Sequence, residues 1–184
     1  VTDMSYIFCG EPVDWDLSKC NTSRKTFNAN ISKWNTASVT TLFQTFRMCT
    51  SFTGDGVSNW DTSKVTSLSN TFQGANSFTG DGVSNWDTSM VTNLVSTFYG
   101  TPLFLISLSH PTLNAHSVSF SYFTRSNTEA AWFNGDLSNW NTKRVVSLDH
   151  TFHKATRFTG DCVSSWDTSS VTTLSGTFTN MVQF

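Results

Sequence analysis

A β-rich solenoid of about six stacked coils, each of 25 to 26 residues, is the fold class this sequence predicts. Two observations carry it. Trp34, Trp60 and Trp86 stand 26 residues apart, as do Trp140 and Trp166, and the phrase W-[DN]-T-x-x-V-x-x-L-x-x-T-F-x-x-[small]-x-x-F-x-G-D-x-x-S-x-W runs between them. The residues filling that phrase are Thr, Ser, Asn, Val, Gly and Asp, which are weak helix formers that suit strands and turns. A unit of this size cannot bury its own aromatic residues, whereas neighbours stacked in parallel bury them together.

Each part of the coil follows from the phrase. "GVSNW" and "VTSL" read as short strands, "TGDG" as a turn, and "SNTFQGA" as at most one helical turn. Stacked strands lie about 4.8 Å apart, so six coils make a rod roughly 25 to 30 Å long. The core is read as the ladder Phe46, Phe72, Phe98, Phe152 and Phe178 with the ladder Trp34, Trp60, Trp86, Trp140 and Trp166. Burial of each Phe contributes on the order of 1.5 to 3 kcal/mol. Cys49, Ala75 and Ala155 mark a column crowded enough to demand small side chains.

The chain reads as one domain in four stretches: an irregular first coil at 1–33, regular repeats at 34–100, an insertion at 101–129, and regular repeats at 130–184. In the first stretch, "DLSKCNTS" matches "DLSNWNTK" but places Cys20 at the Trp position, only 14 residues before Trp34. Removing Thr101 to Glu129 rejoins Gly100 to Ala130 in register. The inserted residues therefore read either as an elaborated surface loop or as translated intron sequence. Both ends fall inside a repeat, which suggests a fragment of a longer chain, and open coil ends call for further repeats or a docked partner.

"FNGDLSNWNTKRVVSL" at residues 133–148 nearly reproduces the phrase "FNGDLSNWDTSNVTNMSNMF" of the BspA-like surface-protein family of the DUF285 type. The chain resembles that family over about 140 of its 184 residues. The resemblance implies a divergent leucine-rich-repeat-like coil and a role in adhesion or protein binding at a cell surface. The insertion, the irregular first coil, and Leu where the family often has Met depart from the pattern.

A net charge of -2, with 11 basic and 13 acidic residues, leaves no basic face for nucleic acid. The longest apolar run, Leu103 to Ile106, is too short to cross a bilayer. Asp55, Asp81, Asp136 and Asp161 read as one acidic column; Asn35, Asp61, Asp87, Asn141 and Asp167 form another. Stacked carboxylates can bind Ca²⁺, but exchange between Asp and Asn favours turn capping, and no metal site is expected. Thr36, Thr62, Thr88, Thr142 and Thr168 form one Thr column and Thr45, Thr71, Thr97, Thr151 and Thr177 another. A third, Thr40, Thr66, Thr92 and Thr172, is broken by Val146.

His110, His116, His150 and His153 read as exposed polar residues. Cys9 and Cys20 are candidates for pairing, Cys49 for the core, and Cys162 for an exposed turn. Asn21 and Asn30 stand in glycosylation sequons. No nucleophile motif or phosphate loop is present, so neither an enzyme nor a cofactor is expected.

These observations point to a non-catalytic scaffold that binds protein or glycan, placed outside the cell or on its surface. Its candidate contacts are the columns read as exposed: Thr36, Thr62, Thr88, Thr142, Thr168, Asp61, Asp87 and Asp167. A structural subunit of a larger organellar or membrane-associated assembly is the alternative, and an ice-binding Thr array the third reading.

Overall fold

A computed structural model describes residues 1–10, 22–100 and 134–181. Six turns of chain lie one on another, joined by parallel bridges that run from Asp3 through Thr41, Ser67, Asn93 and Ser147 to Thr173. The bridge between Asn93 and Ser147 joins coils on either side of the insertion, so the stack continues across it.

The β-rich expectation is overturned. Every bridge is isolated, and no strand or sheet forms among the described residues. "VSN" closes 3-10 turns at Val57–Asn59 and Val83–Asn85, where strands were expected. The cause lies in the backbone. The tenth residue after the Trp position is left-handed, as at Gln44 (φ 55°), and so is the fourteenth at Met48 (φ 59°), Gly74, Lys154 and Asn180, which prevents an extended run.

A ladder nevertheless survives. Alternate N–H groups of Leu42, Gln44, Phe46 and Met48 donate to the carbonyls of Ser67, Ser69, Thr71 and Gln73 in the next coil, at 3.1, 3.1, 2.9 and 2.7 Å. Intervening groups close turns within the coil, Thr45 N–H to Leu42 O at 3.1 Å and Cys49 N–H to Phe46 O at 3.1 Å. Backbone polar groups are thus satisfied without a sheet.

The aromatic ladders stack through the middle. Successive rings of Phe46, Phe72, Phe98, Phe152 and Phe178 lie 5.6, 5.9, 5.8 and 5.8 Å apart, with near-parallel planes. Phe52 and Phe78 pack beside them within their own coils at 4.1 and 3.9 Å. Cys49, Ala75 and Ala155 are buried in the same core. Trp34 and Phe178, expected inside, are 42% and 38% exposed because each lies toward an end of the stack; Trp166 is half-buried.

Indole N–H groups tie the coils together. Trp60, Trp86, Trp140 and Trp166 donate to the carbonyls of Ile31, Val57, Val83 and Leu137 in the preceding coil, at 3.3, 2.9, 2.9 and 3.2 Å. A second tie is the buried Thr column: Thr71, Thr97, Thr151 and Thr177 donate to Leu42, Leu68, Leu94 and Leu148 O at 3.0, 3.0, 2.8 and 2.9 Å. Glycine is required where coils approach most closely. A Cβ on Gly135 would stand 2.8 Å from Gly80 Cα.

Candidate recognition face

The candidate columns of Thr and Asp are structural in their geometry. Thr36, Thr62, Thr88 and Thr142 are buried, which corrects the expectation of exposure; only Thr168, in the last coil, is exposed. Their hydroxyls bridge coils. Thr62 and Thr142 donate to Asp87 O and Asp167 O at 3.1 and 3.0 Å, and Thr36 accepts from Asp61 N–H at 2.8 Å. Burial likewise keeps Thr36, Thr62, Thr88 and Thr142, and the column of Thr45, Thr71, Thr97, Thr151 and Thr177, out of any ice-facing array.

Asp61, Asp87 and Asp167 are exposed, and each carboxylate accepts from the amide two residues on, in Ser63, Ser89 and Ser169, at 3.0, 2.9 and 2.9 Å. The hydroxyl and amide of Ser63 hold the Asp61 carboxyl below its ordinary range, and Ser169 does the same for Asp167. Asn35 and Asn141 take the same bond from Ala37 and Lys143. Asp136 stands four residues before its Trp, where Asp55, Asp81 and Asp161 stand five before theirs, and it caps its own turn through Ser138 N–H at 2.9 Å. Among the described residues, no three His, Cys, Asp or Glu side chains are grouped to hold a metal.

Side chains that differ from coil to coil gather elsewhere. The tenth position holds Tyr6, Gln44, Asn70, Ser96, His150 and Gly176 in successive coils; the thirteenth holds Arg47, Gln73, Tyr99, His153 and Thr179 from the second coil onward. Both lie on the ladder segment and outside the apolar core, with Gln44 and Ser96 buried, Thr179 exposed and the other members half-buried. All six residues of the tenth position are left-handed, with φ of 62°, 55°, 56°, 53°, 54° and 63°. Glycine adopts this backbone freely, whereas a bulky L-residue there costs about 1 to 2 kcal/mol. Only the last coil uses Gly.

The thirteenth column makes side-chain contacts along its length. Arg47 Nε donates to Gln73 Oε1 at 2.8 Å, and the Tyr99 ring stacks on His153 at 4.7 Å and 6°. His150 lies 5.4 Å from His153, and Tyr6 meets Phe43 edge-on at 5.4 Å. His150 and His153 are therefore half-buried, not the exposed residues expected. Burial, followed by the charges of Lys154 and His150, pushes the His153 imidazole down to about 4. Gln44 Oε1 is a buried acceptor with no partner.

Cysteine chemistry lies apart from this face. Cys9 is disulfide-bonded, Cys49 and Cys162 are free, and Cys20 falls outside the described residues, as do His110, His116 and Asn21. Burial pushes the Cys49 thiol up to about 12 despite the nearby Arg24. Cys162, expected to be exposed, is half-buried with its Sγ 3.7 Å from Gly135 O. Asn30 is exposed.

A family model described as "Mycoplasma protein of unknown function, DUF285" matches residues 2–128 and 123–184. The chain belongs to the DUF285 family. No curated protein and no solved structure matches it. Among the described residues of this DUF285 chain, no helix is long and apolar enough to cross a membrane. The family description names no activity, so the functional reading rests on the side chains of the variable columns.

Proposed function

We propose that this DUF285 chain is a non-catalytic recognition scaffold that holds a protein or glycan partner against its tenth and thirteenth columns, at a cell surface. One observation carries the reading. Five non-glycine residues occupy a left-handed position that glycine would fill without strain, and they differ in every coil. Locally unfavourable backbone is retained when the side chain does something the fold does not need. Tyr99, His153, Arg47, Gln73 and Tyr6 supply amphipathic rings and hydrogen-bonding groups suited to a polar interface.

The test separates binding from folding. Gln44→Gly and His150→Gly are introduced together, and the protein is assayed against immobilised glycans and against surface proteins labelled on intact cells. The wild type is expected to retain a defined glycan or protein. The double variant is expected to lose that retention while melting at the same or a higher temperature. Equal retention by both proteins would overturn the assignment of the face. Protection of the protein from protease on intact source cells would overturn its surface placement.

A further inference from the structure

Two coils reach their Trp by a shorter route than the rest. Trp34 and Trp140 stand seven residues after Phe27 and Phe133, whereas Trp60, Trp86 and Trp166 stand eight after Phe52, Phe78 and Phe158. The two short routes fold alike. Asn28 Oδ1 accepts from Thr53 N–H at 3.2 Å, as Asn134 Oδ1 does from Thr159 N–H at 3.3 Å. Asn30 Oδ1 accepts from Ser32 N–H at 2.9 Å, as Asp136 Oδ1 does from Ser138 N–H at 2.9 Å. Ile31 and Leu137, between those partners, are both buried. Asn30-Ile31-Ser32 and Asp136-Leu137-Ser138 are therefore one and the same side-chain-closed turn.

This turn needs only an oxygen, which a carboxylate supplies as well as a carboxamide. Asn30 adds an amide nitrogen that the fold does not use. Among the described residues, neither Asn30 Nδ2 nor Ser32 Oγ makes a hydrogen bond. The Asn30 side chain is exposed, and the exposure belongs to the turn and not to its place in the stack. Asp136 is exposed too, although its coil is packed on both sides: Gly135 lies against Gly80 of the coil before it, and its carbonyl meets Cys162 Sγ of the coil after it. A bulky hydrophilic group on Asn30 thus leaves the stack into solvent without displacing a neighbour. Cys9 supplies an independent observation, because it is disulfide-bonded. Disulfides persist in oxidising compartments, among them the secretory lumen in which Asn-x-Ser/Thr is glycosylated.

We propose that Asn30 carries an N-linked glycan. In the transfer, Asn30 Nδ2 attacks the anomeric carbon of an oligosaccharide held on a lipid pyrophosphate. The nitrogen–carbon bond forms and the bond from that carbon to the pyrophosphate oxygen breaks. The lipid pyrophosphate leaves with the bonding pair, the amide gives up one proton, and nothing is oxidised or reduced. The inference rests on the reading of this chain as one that reaches the cell surface. It adds a modified position on the turn before the Trp, apart from the ladder segment that carries the tenth and thirteenth columns.

The experiment maps the full chain purified from its source. Cleavage after Lys25 and Lys33 releases residues 26–33, which are read by mass spectrometry before and after peptide-N-glycosidase treatment in heavy-oxygen water. The peptide is expected to carry hexose and N-acetylhexosamine masses, and Asn30 to become heavy-oxygen-labelled aspartate on their release. Ser32→Ala, made in the source cells, should leave the peptide bare, and Ser32→Thr should keep it glycosylated. Asn30→Asp should abolish the glycan in a protein that still folds, since Asp136 already closes the same turn. A bare peptide in the wild type sinks the proposal, and so does equal glycosylation of the wild type and Ser32→Ala. Protease treatment of intact cells tells the two readings apart. Bare Asn30 in protein that protease reaches removes the glycan and leaves the surface placement standing; glycosylated Asn30 in protein that protease does not reach does the reverse.

Discussion

At Gln44 the backbone and the side chain pull in opposite directions: φ is 55°, yet the residue is a glutamine with a buried, unpartnered carbonyl oxygen. Replacing it with Gly relieves the left-handed strain while loosening the unfolded chain, so stability is expected to stay level or rise by up to about 1 kcal/mol in denaturant unfolding. Phe98→Ala removes a ring from the middle of the ladder and is expected to cost about 3 to 5 kcal/mol in the same assay. His153 sets a pH window. Its folded value, about 4, lies below the ordinary 6.5, so the unfolded chain binds the extra proton between those values. Stability is expected to fall as pH drops from about 6.5 towards 4, and melting curves of His153→Gln should lose that part of the slope. Asp61, Asp136 and Asp167, with lowered carboxyl values, add a further loss only below the ordinary 3.8.

At the scale of the coil, threonine has two fates set by position. Thr97 is buried and donates to Leu68 O and Leu94 O, whereas Thr66 is exposed and donates to Thr40 O at 3.1 Å. Thr97→Val is expected to cost about 1 to 3 kcal/mol by chemical denaturation, because buried carbonyls lose a donor. Thr66→Val should stay within about 0.5 kcal/mol. The repeat spacing in the sequence revealed which residues share a column, and the Asp and Asn exchange revealed turn capping. Strands were misread because Thr, Val and Ser suit extended backbone, while nothing in Tyr6, Gln44, Ser96 or His150 signals a left-handed residue. The proposed recognition face escapes the sequence reading for a related reason. Constancy of Thr36, Thr62, Thr88 and Thr142 was read as an exposed array, although it reports a buried hydroxyl needed in each coil. The useful signal was the difference between coils at the tenth and thirteenth positions.

Across the whole molecule, the stack rests on contacts between neighbouring coils, so an interruption matters only if it separates them. Asn93 bridges Ser147, Phe98 stacks on Phe152 at 5.8 Å, and Gly100 N–H donates to His153 O at 2.9 Å. Joining Gly100 directly to Ala130 is therefore expected to shift the melting temperature by only a few degrees, a change of about 1 kcal/mol or less, as read by calorimetry. The same stack holds the variable columns in line, which is what makes one face out of residues far apart in sequence. The most direct measurement of that face is photo-crosslinking in the source cells, with benzoylphenylalanine placed at Gln73 or His153, or at Thr66 on the exposed threonine column. Crosslinks to one defined protein or glycan from Gln73 and His153, and none from Thr66, are the predicted result. Crosslinks from Thr66 alone, with none from the other two positions, would contradict the account.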